Sequence, residues 1–149
     1  MKNIFQSDTL AELQGRLDNL KPDTQRVWGS MNAAQMMGHC SGVLEIAVGD
    51  EVANPGPIKK LFGKLVKPVV LGDKPFKQNL PTDKELIVAD ERDFIKEKSR
   101  LNSLIVRFSA GGETLMNGTK HPLFGKLTAT EWNKFTYKHL NHHFRQFGI

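Results

Sequence analysis

Residues 128–147 read TATEWNKFTYKHLNHHFRQF, and they contain the clearest helix start in the chain. Thr128 and Glu131 have the spacing of a capping box, in which each side chain hydrogen-bonds the backbone N–H of the other residue. Leu127 and Trp132 have the spacing of a hydrophobic staple around that cap. The pattern therefore predicts a C-terminal helix that starts directly after the threonine.

We expect this helix to end at Gly148 and to carry two histidines on its buried face. At about 100° per residue, His139 and His143 lie one turn apart on the same side. Neutral imidazoles at this spacing can bind one ion, and they suit zinc, nickel, copper and iron. The predicted inward face comprises Trp132, Phe135, Thr136, His139, His143, Gln146 and Phe147.

A second helix is predicted from Asn32, a good N-cap with Gln35 at the capping-box position, to about Gly49. It is apolar almost all round, which is typical of a helix buried between neighbours. His39 lies on this helix and is the candidate for a third ligand. At about 1.5 Å per residue, His39 lies roughly 9 Å from the start of its helix, and the C-terminal pair lies roughly 6 to 12 Å from the end of theirs. These levels match if the two helices are antiparallel.

Two further helices are predicted from the recurrence of apolar residues at spacings of three and four. The first spans about 9–20, with Asp8 placed to cap it, and another spans about 90–110. The two successive glycines Gly111 and Gly112 are expected to end the latter. An earlier turn capped by Thr82 is an alternative start for that helix.

About forty residues, 50–89, separate the second and third of these helices and hold five of the seven prolines. A connection of that length is unusual inside a compact domain, and a crossover along a helical bundle explains it. In a simple bundle, successive helices alternate in direction, so the second and fourth are parallel. A long crossover changes this alternation and makes the second and fourth helices antiparallel. The predicted fold is therefore all-α, a four-helix up-down-down-up bundle with a long Pro-rich crossover between helices two and three.

Within the crossover, residues 57–66 read PIKKLFGKLV and predict a short basic amphipathic helix. Ile58, Leu61, Phe62 and Leu65 fall on one side, and lysines lie elsewhere. We favour a lid packed on the bundle over contact with a membrane surface, because so short a segment buries little apolar area by itself.

Composition sets the broad class. The chain has 149 residues, 39% hydrophobic and 25% charged, and we expect a single domain over residues 1–149. The net charge of +5 names no partner, and because no recognised motif is present we expect no nucleic-acid binding. No stretch reaches the ~18 to 20 consecutive apolar residues that a membrane span needs, so we expect no membrane binding. The single cysteine excludes an internal disulfide and a multi-thiolate zinc site. A cytoplasmic location is the resulting expectation.

The central hypothesis is a mononuclear divalent-metal site formed by His39, His139 and His143, with open positions for water or substrate. The predicted inner face of the C-terminal helix has no carboxylate, which argues against a di-iron carboxylate centre. The sequence HLNHH also lacks the glutamate that HExxH proteases use as a general base.

Other residues with possible chemistry have simpler interpretations. His142, at the edge of the inward face, is interpreted as a group supporting the ligands or as an alternative ligand. His121 precedes a proline, and anchoring of a loop is favoured over contact with substrate. Cys40 is expected to be a small buried apolar residue, and Trp28 and Trp132 are expected to be core anchors.

Three segments carry a resemblance to a known family: MNAAQMMGH at 31–39, KPFKQN at 74–79, and HPLFGKLT at 121–128 leading into YKHLNHHFRQF at 137–147. Together they resemble the DinB/YfiT-like superfamily, more closely one of its branches of unknown function. The resemblance covers essentially the whole chain. It implies the same up-down-down-up bundle and a metal held by His39, His139 and His143, and it suggests a homodimer.

Two functions follow as expectations. The first is a metal-dependent hydrolase or small-thiol transferase that holds zinc or nickel and acts on a small-molecule substrate. Members of the resembled superfamily include thiol-dependent transferases and isomerases, but the fold alone does not transfer their reaction to this chain. The second is a non-catalytic binding module whose metal site is structural or vestigial.

Overall fold

The structure is a computed structural model that describes residues 1–51, 56–80 and 86–149. Over these residues the chain is mostly helical, with five helices and one short antiparallel hairpin, which agrees with the predicted all-α class apart from the hairpin. The elements are α1 (Ser7–Asn19), α2 (Ala33–Val48), α3 (Pro57–Val70), α4 (Phe94–Met116), β1 (Lys120–His121), β2 (Gly125–Lys126) and α5 (Ala129–Gln146).

The bounds of α2 confirm the prediction from its caps. The side-chain oxygen of Asn32 accepts a hydrogen bond from the Gln35 backbone N–H, and the Gln35 side chain accepts one from the Asn32 N–H. At the other end, Gly49 adopts a left-handed conformation with φ 85°, which a residue without a Cβ tolerates at a helix C-terminus. Caps at both ends therefore set the position of every residue along α2.

The start of α5 is also confirmed. The Thr128 hydroxyl accepts a hydrogen bond of 3.2 Å from the Glu131 N–H, and the Glu131 carboxylate accepts one of 2.8 Å from the Thr128 N–H. The helix ends at Gln146 rather than at the predicted Gly148, because Gly148 takes a left-handed φ of 71° in the turn that follows.

The predicted bounds of α1 and α4 need correction. Gln6 flanks the start of α1, and Asp8 lies inside its first turn, where a carboxylate favours the helix dipole without capping it. Asp93, whose side chain accepts a hydrogen bond from the Lys96 N–H, caps α4. The helix therefore begins after Asp93 instead of at residue 90, and the alternative start near residue 82 lies outside the described residues.

The far end of α4 also differs from the prediction. Gly112 does leave helical geometry, with φ 65° and ψ 179°, but the chain resumes helical turns and continues to Met116. Met116 is buried in the core. Burial of Met116 outweighs the local tendency of two glycines to stop a helix, so Gly112 produces a kink instead of an end.

The helix in the crossover is present but longer than predicted, because it continues through Pro68 to Val70. It packs on the rest of the molecule through Val66 and Val70, which contact the hydrophobic core. The side formed by Ile58, Leu61, Phe62 and Leu65 is exposed. The expected lid therefore packs by a different side from the one that its amphipathic pattern indicates.

The core lies where α1, α2, α4 and α5 meet. Helix α4 contacts α1, α2 and α5, and α2 also contacts α5, so the helix of His39 lies beside the helix of the two C-terminal histidines. Among its fully buried side chains are Leu13, Leu17, Met37, Leu44, Leu101, Ile105, Phe108, Trp132 and Phe144. None of the described helices is long and apolar enough to cross a membrane.

Candidate metal centre

His39 lies on α2, and a hydrogen bond to Leu86 defines its tautomer. Its side chain is buried, and its Nδ1 lies 2.9 Å from the backbone carbonyl oxygen of Leu86. A carbonyl oxygen only accepts hydrogen bonds, so Nδ1 carries the proton and donates it. The neutral ring therefore presents the lone pair of Nε2, which is the form that a metal ion needs.

His143 is oriented in a similar way by Gln146, one turn further along α5. Its Nδ1 donates to the Gln146 side-chain carbonyl over 2.9 Å, and the Gln146 amide donates to the backbone carbonyl of Trp28, also over 2.9 Å. This two-bond chain fixes the direction of the glutamine amide and so leaves Nε2 of His143 as the free lone pair.

Gly29 provides the space for this chain of hydrogen bonds. A Cβ added there would lie 2.2 Å from the Gln146 amide nitrogen, and Gly29 has a left-handed φ of 82°. Both the space and the conformation require glycine at this position.

The three predicted ligands converge. Ring centroids lie 5.0 Å apart for His39 and His139, 4.8 Å for His39 and His143, and 4.7 Å for His139 and His143. One nitrogen from each ring lies within 4.8 Å of the other two, and the Nε2 atoms of His39 and His139 are 3.0 Å apart. In tetrahedral zinc sites, metal–nitrogen bonds of about 2.0 to 2.1 Å imply nitrogen–nitrogen distances of roughly 3.4 Å. Small side-chain adjustments would therefore place all three nitrogens on one ion, which confirms the predicted clustering.

Burial keeps these rings neutral. Loss of hydration lowers the pKa of His143 to about 3 and lowers that of His139 well below its ordinary value of 6.5, with nearby imidazoles adding to the effect. The pKa of His39 is lowered by the same desolvation, which its hydrogen bond to Leu86 partly opposes. Metal binding requires unprotonated imidazole, so at neutral pH these rings need to release no proton to accept an ion.

His142 is outside this group of three. It is half-buried, and its ring meets Trp28 and Phe76 edge to face. Its ring centroid is 5.1 Å from that of His143. Of the two interpretations, these contacts favour a supporting position beside the ligands over a direct one.

The histidines open onto a cavity of about 930 Å³. Its walls are mainly apolar and include Phe76 and Leu80 from the crossover and Phe135 from α5. A volume of this size is typical of small-molecule sites, and ligand pockets characteristically combine apolar walls with a few polar groups. The candidate metal centre therefore lies in the wall of a chamber large enough for a substrate.

His121 anchors the hairpin between α4 and α5. Its Nδ1 accepts hydrogen bonds from the backbone N–H groups of Leu123 and Phe124, and its ring stacks on Phe124 at 4.3 Å. Desolvation lowers its pKa to about 4. The interpretation as a loop anchor agrees with these contacts, although the residue also lines the cavity.

The structure agrees with the predicted buried roles of Cys40 and Trp132 but not with that of Trp28. Cys40 is fully buried, burial raises the pKa of its thiol, and its Sγ contacts the Met36 sulfur, as expected of an apolar core residue. Trp132 is a core anchor as predicted, with no exposed surface. Trp28 is half-buried and forms part of the cavity wall, so the expectation of a core anchor is wrong for it.

Sequence reasoning missed the groups that orient two of the three rings. Both Leu86 and Trp28 act through backbone carbonyls, which every residue type supplies, so no side-chain pattern marks them. A weak signal existed in Gly29, directly after Trp28, because a glycine can indicate a close approach of another group. Gln146 was predicted on the inward face, and the structure places its side chain in a hydrogen bond with His143.

Comparison with known families places the chain in one of them. A family described as "Protein of unknown function (DUF1569)" matches residues 2–148, so the chain belongs to the DUF1569 family. A search of curated proteins found no match, and a search of solved structures also found none. The resemblance to the DinB/YfiT-like superfamily stays a prediction.

Proposed function

We propose that this protein binds one divalent metal ion through His39, His139 and His143 and uses it in hydrolysis or in the transfer of a small thiol. The observation that carries the proposal is the convergence of three neutral imidazoles, two of them oriented by hydrogen bonds, in the wall of a 930 Å³ cavity. A closed structural zinc site has four protein ligands, whereas a catalytic site keeps a position open.

The donor set favours zinc or nickel. Three uncharged imidazole nitrogens are suited to borderline metals and are poorly suited to magnesium or calcium, which prefer oxygen. A bound divalent ion supplies Lewis acidity, which polarises a substrate oxygen or sulfur and lowers the pKa of water or of a thiol. The protein contributes fixed ring orientations through Leu86 and Gln146.

The cavity walls support a substrate that is small and largely apolar. Phe76, Leu80 and Phe135 offer aromatic and aliphatic surface, and His142 supplies a half-buried polar group beside His143. A substrate would bury its apolar part against these side chains and direct one oxygen or sulfur toward the histidines.

One observation favours the alternative, a binding module in which the site is structural or vestigial. The 3.0 Å contact between the Nε2 atoms of His39 and His139 is a hydrogen bond if one ring carries the proton there. The pair then satisfies its own polar atoms without any ion. Activity assays, described below, separate this alternative from the enzyme.

We propose in addition that α1, α2, α4 and α5 form the up-down-down-up bundle. His39 lies in the first half of α2, whereas His139 and His143 lie in the second half of α5, and their rings nevertheless meet. Antiparallel α2 and α5 account for this convergence, and the crossover that contains α3 accounts for the reversal. The cytoplasmic location stays an expectation from composition.

Metal analysis of protein purified without a histidine tag tests the site. We expect about one zinc or nickel ion per chain, as one three-ligand site implies. His39→Ala and His139→Ala should each lose the ion, and elemental analysis of the dialysed proteins measures it. His121→Asn is the matched control, since it removes a buried histidine outside the group of three. Full metal content in both alanine variants, or none in the wild type, contradicts the proposal.

Turnover then separates the enzyme from the binding module. The metal-loaded protein is assayed against a panel of esters and amides and a panel of electrophiles with low-molecular-weight thiols. An enzyme should give turnover that chelation abolishes and metal restores, with no activity in His139→Ala. Metal bound at one per chain without turnover in either panel favours the non-catalytic module.

A further inference from the structure

Helix α3 exposes a continuous apolar stripe. Ile58, Leu61, Phe62, Leu65 and Val69 recur at spacings of three and four, so at about 100° per residue they share one face of the helix. Each of these side chains is between 64% and 83% exposed. Single exposed apolar residues are ordinary, but five on one helical face form a patch of the kind that marks an interaction site.

The packing of α3 explains why this stripe faces away from the core. The backbone of Gly63 lies so close to that of Leu123 that a Cβ at residue 63 would be 2.4 Å from the Leu123 carbonyl oxygen. Val66 and Val70 contact the core on the same side, and Lys67 pairs with Glu131 over 3.0 Å. These contacts fix the rotation of the helix about its axis, and the stripe is left exposed.

The charge of α3 indicates what covers the stripe. The helix contains four lysines and no acidic residue. Its apolar face is rich in leucine and phenylalanine and its polar face in lysine, which is the composition of helices that lie in the plane of a membrane interface. A second copy of the same helix would bring lysines against lysines, so charge repulsion disfavours self-association through this face.

We propose that α3 docks the protein on anionic lipid surfaces, with the stripe in the interfacial region and the exposed Lys64 toward the headgroups. Because one short helix buries limited apolar area, attachment is reversible and depends on the negative charge of the lipid. The lid contact through Val66 and Val70 leaves the apolar face exposed, so packing on the bundle and docking on lipid use different sides of α3.

Vesicle co-flotation of the full-length protein tests this proposal. Wild type is expected to float with vesicles of phosphatidylcholine and phosphatidylserine and to remain in solution with phosphatidylcholine alone. Binding should disappear at about 1 M salt, where the Debye length is about 3 Å. Lys64→Glu should weaken partitioning by about fivefold or more, given the strength of attraction between one lysine and an anionic surface.

A variant of the stripe and a matched control distinguish binding through this surface from non-specific hydrophobic binding to vesicles. Leu61→Gln with Phe62→Gln should abolish flotation, whereas Ile95→Gln with Leu115→Gln, two exposed positions of α4, should not change it. Unchanged helical circular dichroism and metal content in both double variants show that each is folded.

Several outcomes overturn the proposal. These are failure of wild type to float with anionic vesicles, equal binding to neutral vesicles, and equal loss in the stripe and control variants. Loss of a dimer in the stripe variant, without vesicle binding by wild type, assigns the stripe to a second copy instead.

Discussion

Gln146 shows how one polar side chain can determine whether a histidine can bind a metal. Its carbonyl oxygen accepts from His143, and its amide donates to Trp28, so both ends of the side chain are fixed. If the amide were reversed, its carbonyl oxygen would face the Trp28 carbonyl oxygen and two acceptors would meet, so the Gln146 carbonyl must face His143 Nδ1. The glutamine therefore selects the tautomer of His143 that presents Nε2.

Gln146→Leu should weaken metal binding by about tenfold to a hundredfold, the usual effect of removing a group that orients a ligand. Leucine has a similar volume but accepts no hydrogen bond, so the His143 ring loses its fixed tautomer. Competition with a chromophoric chelator measures the affinity. Gln14→Leu is the matched control, because that glutamine bonds to Asn102 on a different surface and its loss should leave affinity unchanged. Equal affinity in the two variants would show that Gln146 does not orient the ligand.

At the scale of elements, the sequence predicted what local interactions determine. The starts of α2 and α5 were predictable because capping boxes are formed by residues three apart. The clustering of three histidines was predictable because helical spacing fixes two of them and the level along α2 fixes the third. The end of α4 was not predictable from the sequence, because burial of Met116 by distant residues overrides the glycine signal.

The orientation of α3 also depends on tertiary contact and not on local sequence. Its amphipathic pattern correctly predicts a helix, but the face that packs is chosen by the contact between Gly63 and the Leu123 backbone. No periodicity in the segment encodes that contact, since it depends on where the hairpin of His121 places Leu123. Element type follows from local pattern, whereas the choice of face follows from tertiary contact.

Gly63→Ala should detach α3 from the hairpin. Alanine favours a helix over glycine by about 1 kcal/mol, but its Cβ cannot occupy the space next to the Leu123 carbonyl. We expect trypsin to cleave at the lysines of α3 several-fold faster than in wild type, as mass spectrometry of timed digests would show. Gly15→Ala in α1, where a Cβ meets nothing within 4 Å, is the control and should be neutral or stabilising. Identical digestion of the two variants would mean that the contact does not hold the helix.

At the scale of the whole molecule, all five histidines share one electrostatic property. Desolvation is the largest cause that lowers each pKa, so in every case the folded state favours the neutral ring. The unfolded chain loses this desolvation and binds protons near the ordinary pKa of about 6.5. Folding of the metal-free protein is therefore coupled to the release of protons from histidine. This occurs at pH values below about 6.5, where most carboxylates remain ionised.

The metal-free protein should consequently lose stability as the pH falls below about 6.5, because the unfolded state then binds more protons than the folded state. The contribution of each histidine is complete above that pH and is lost as the pH falls toward its folded pKa, about 4 for His121 and about 3 for His143. Each fully coupled ring adds a slope of up to about 1.4 kcal/mol per pH unit. Urea unfolding followed by circular dichroism between neutral and mildly acidic pH measures the slope. His121→Asn keeps an acceptor for the hairpin but cannot titrate in this pH range. It should therefore reduce the slope by the contribution of one histidine, up to about 1.4 kcal/mol per pH unit. A stability that does not change with pH would contradict the neutral, desolvated state of these rings on which metal binding depends.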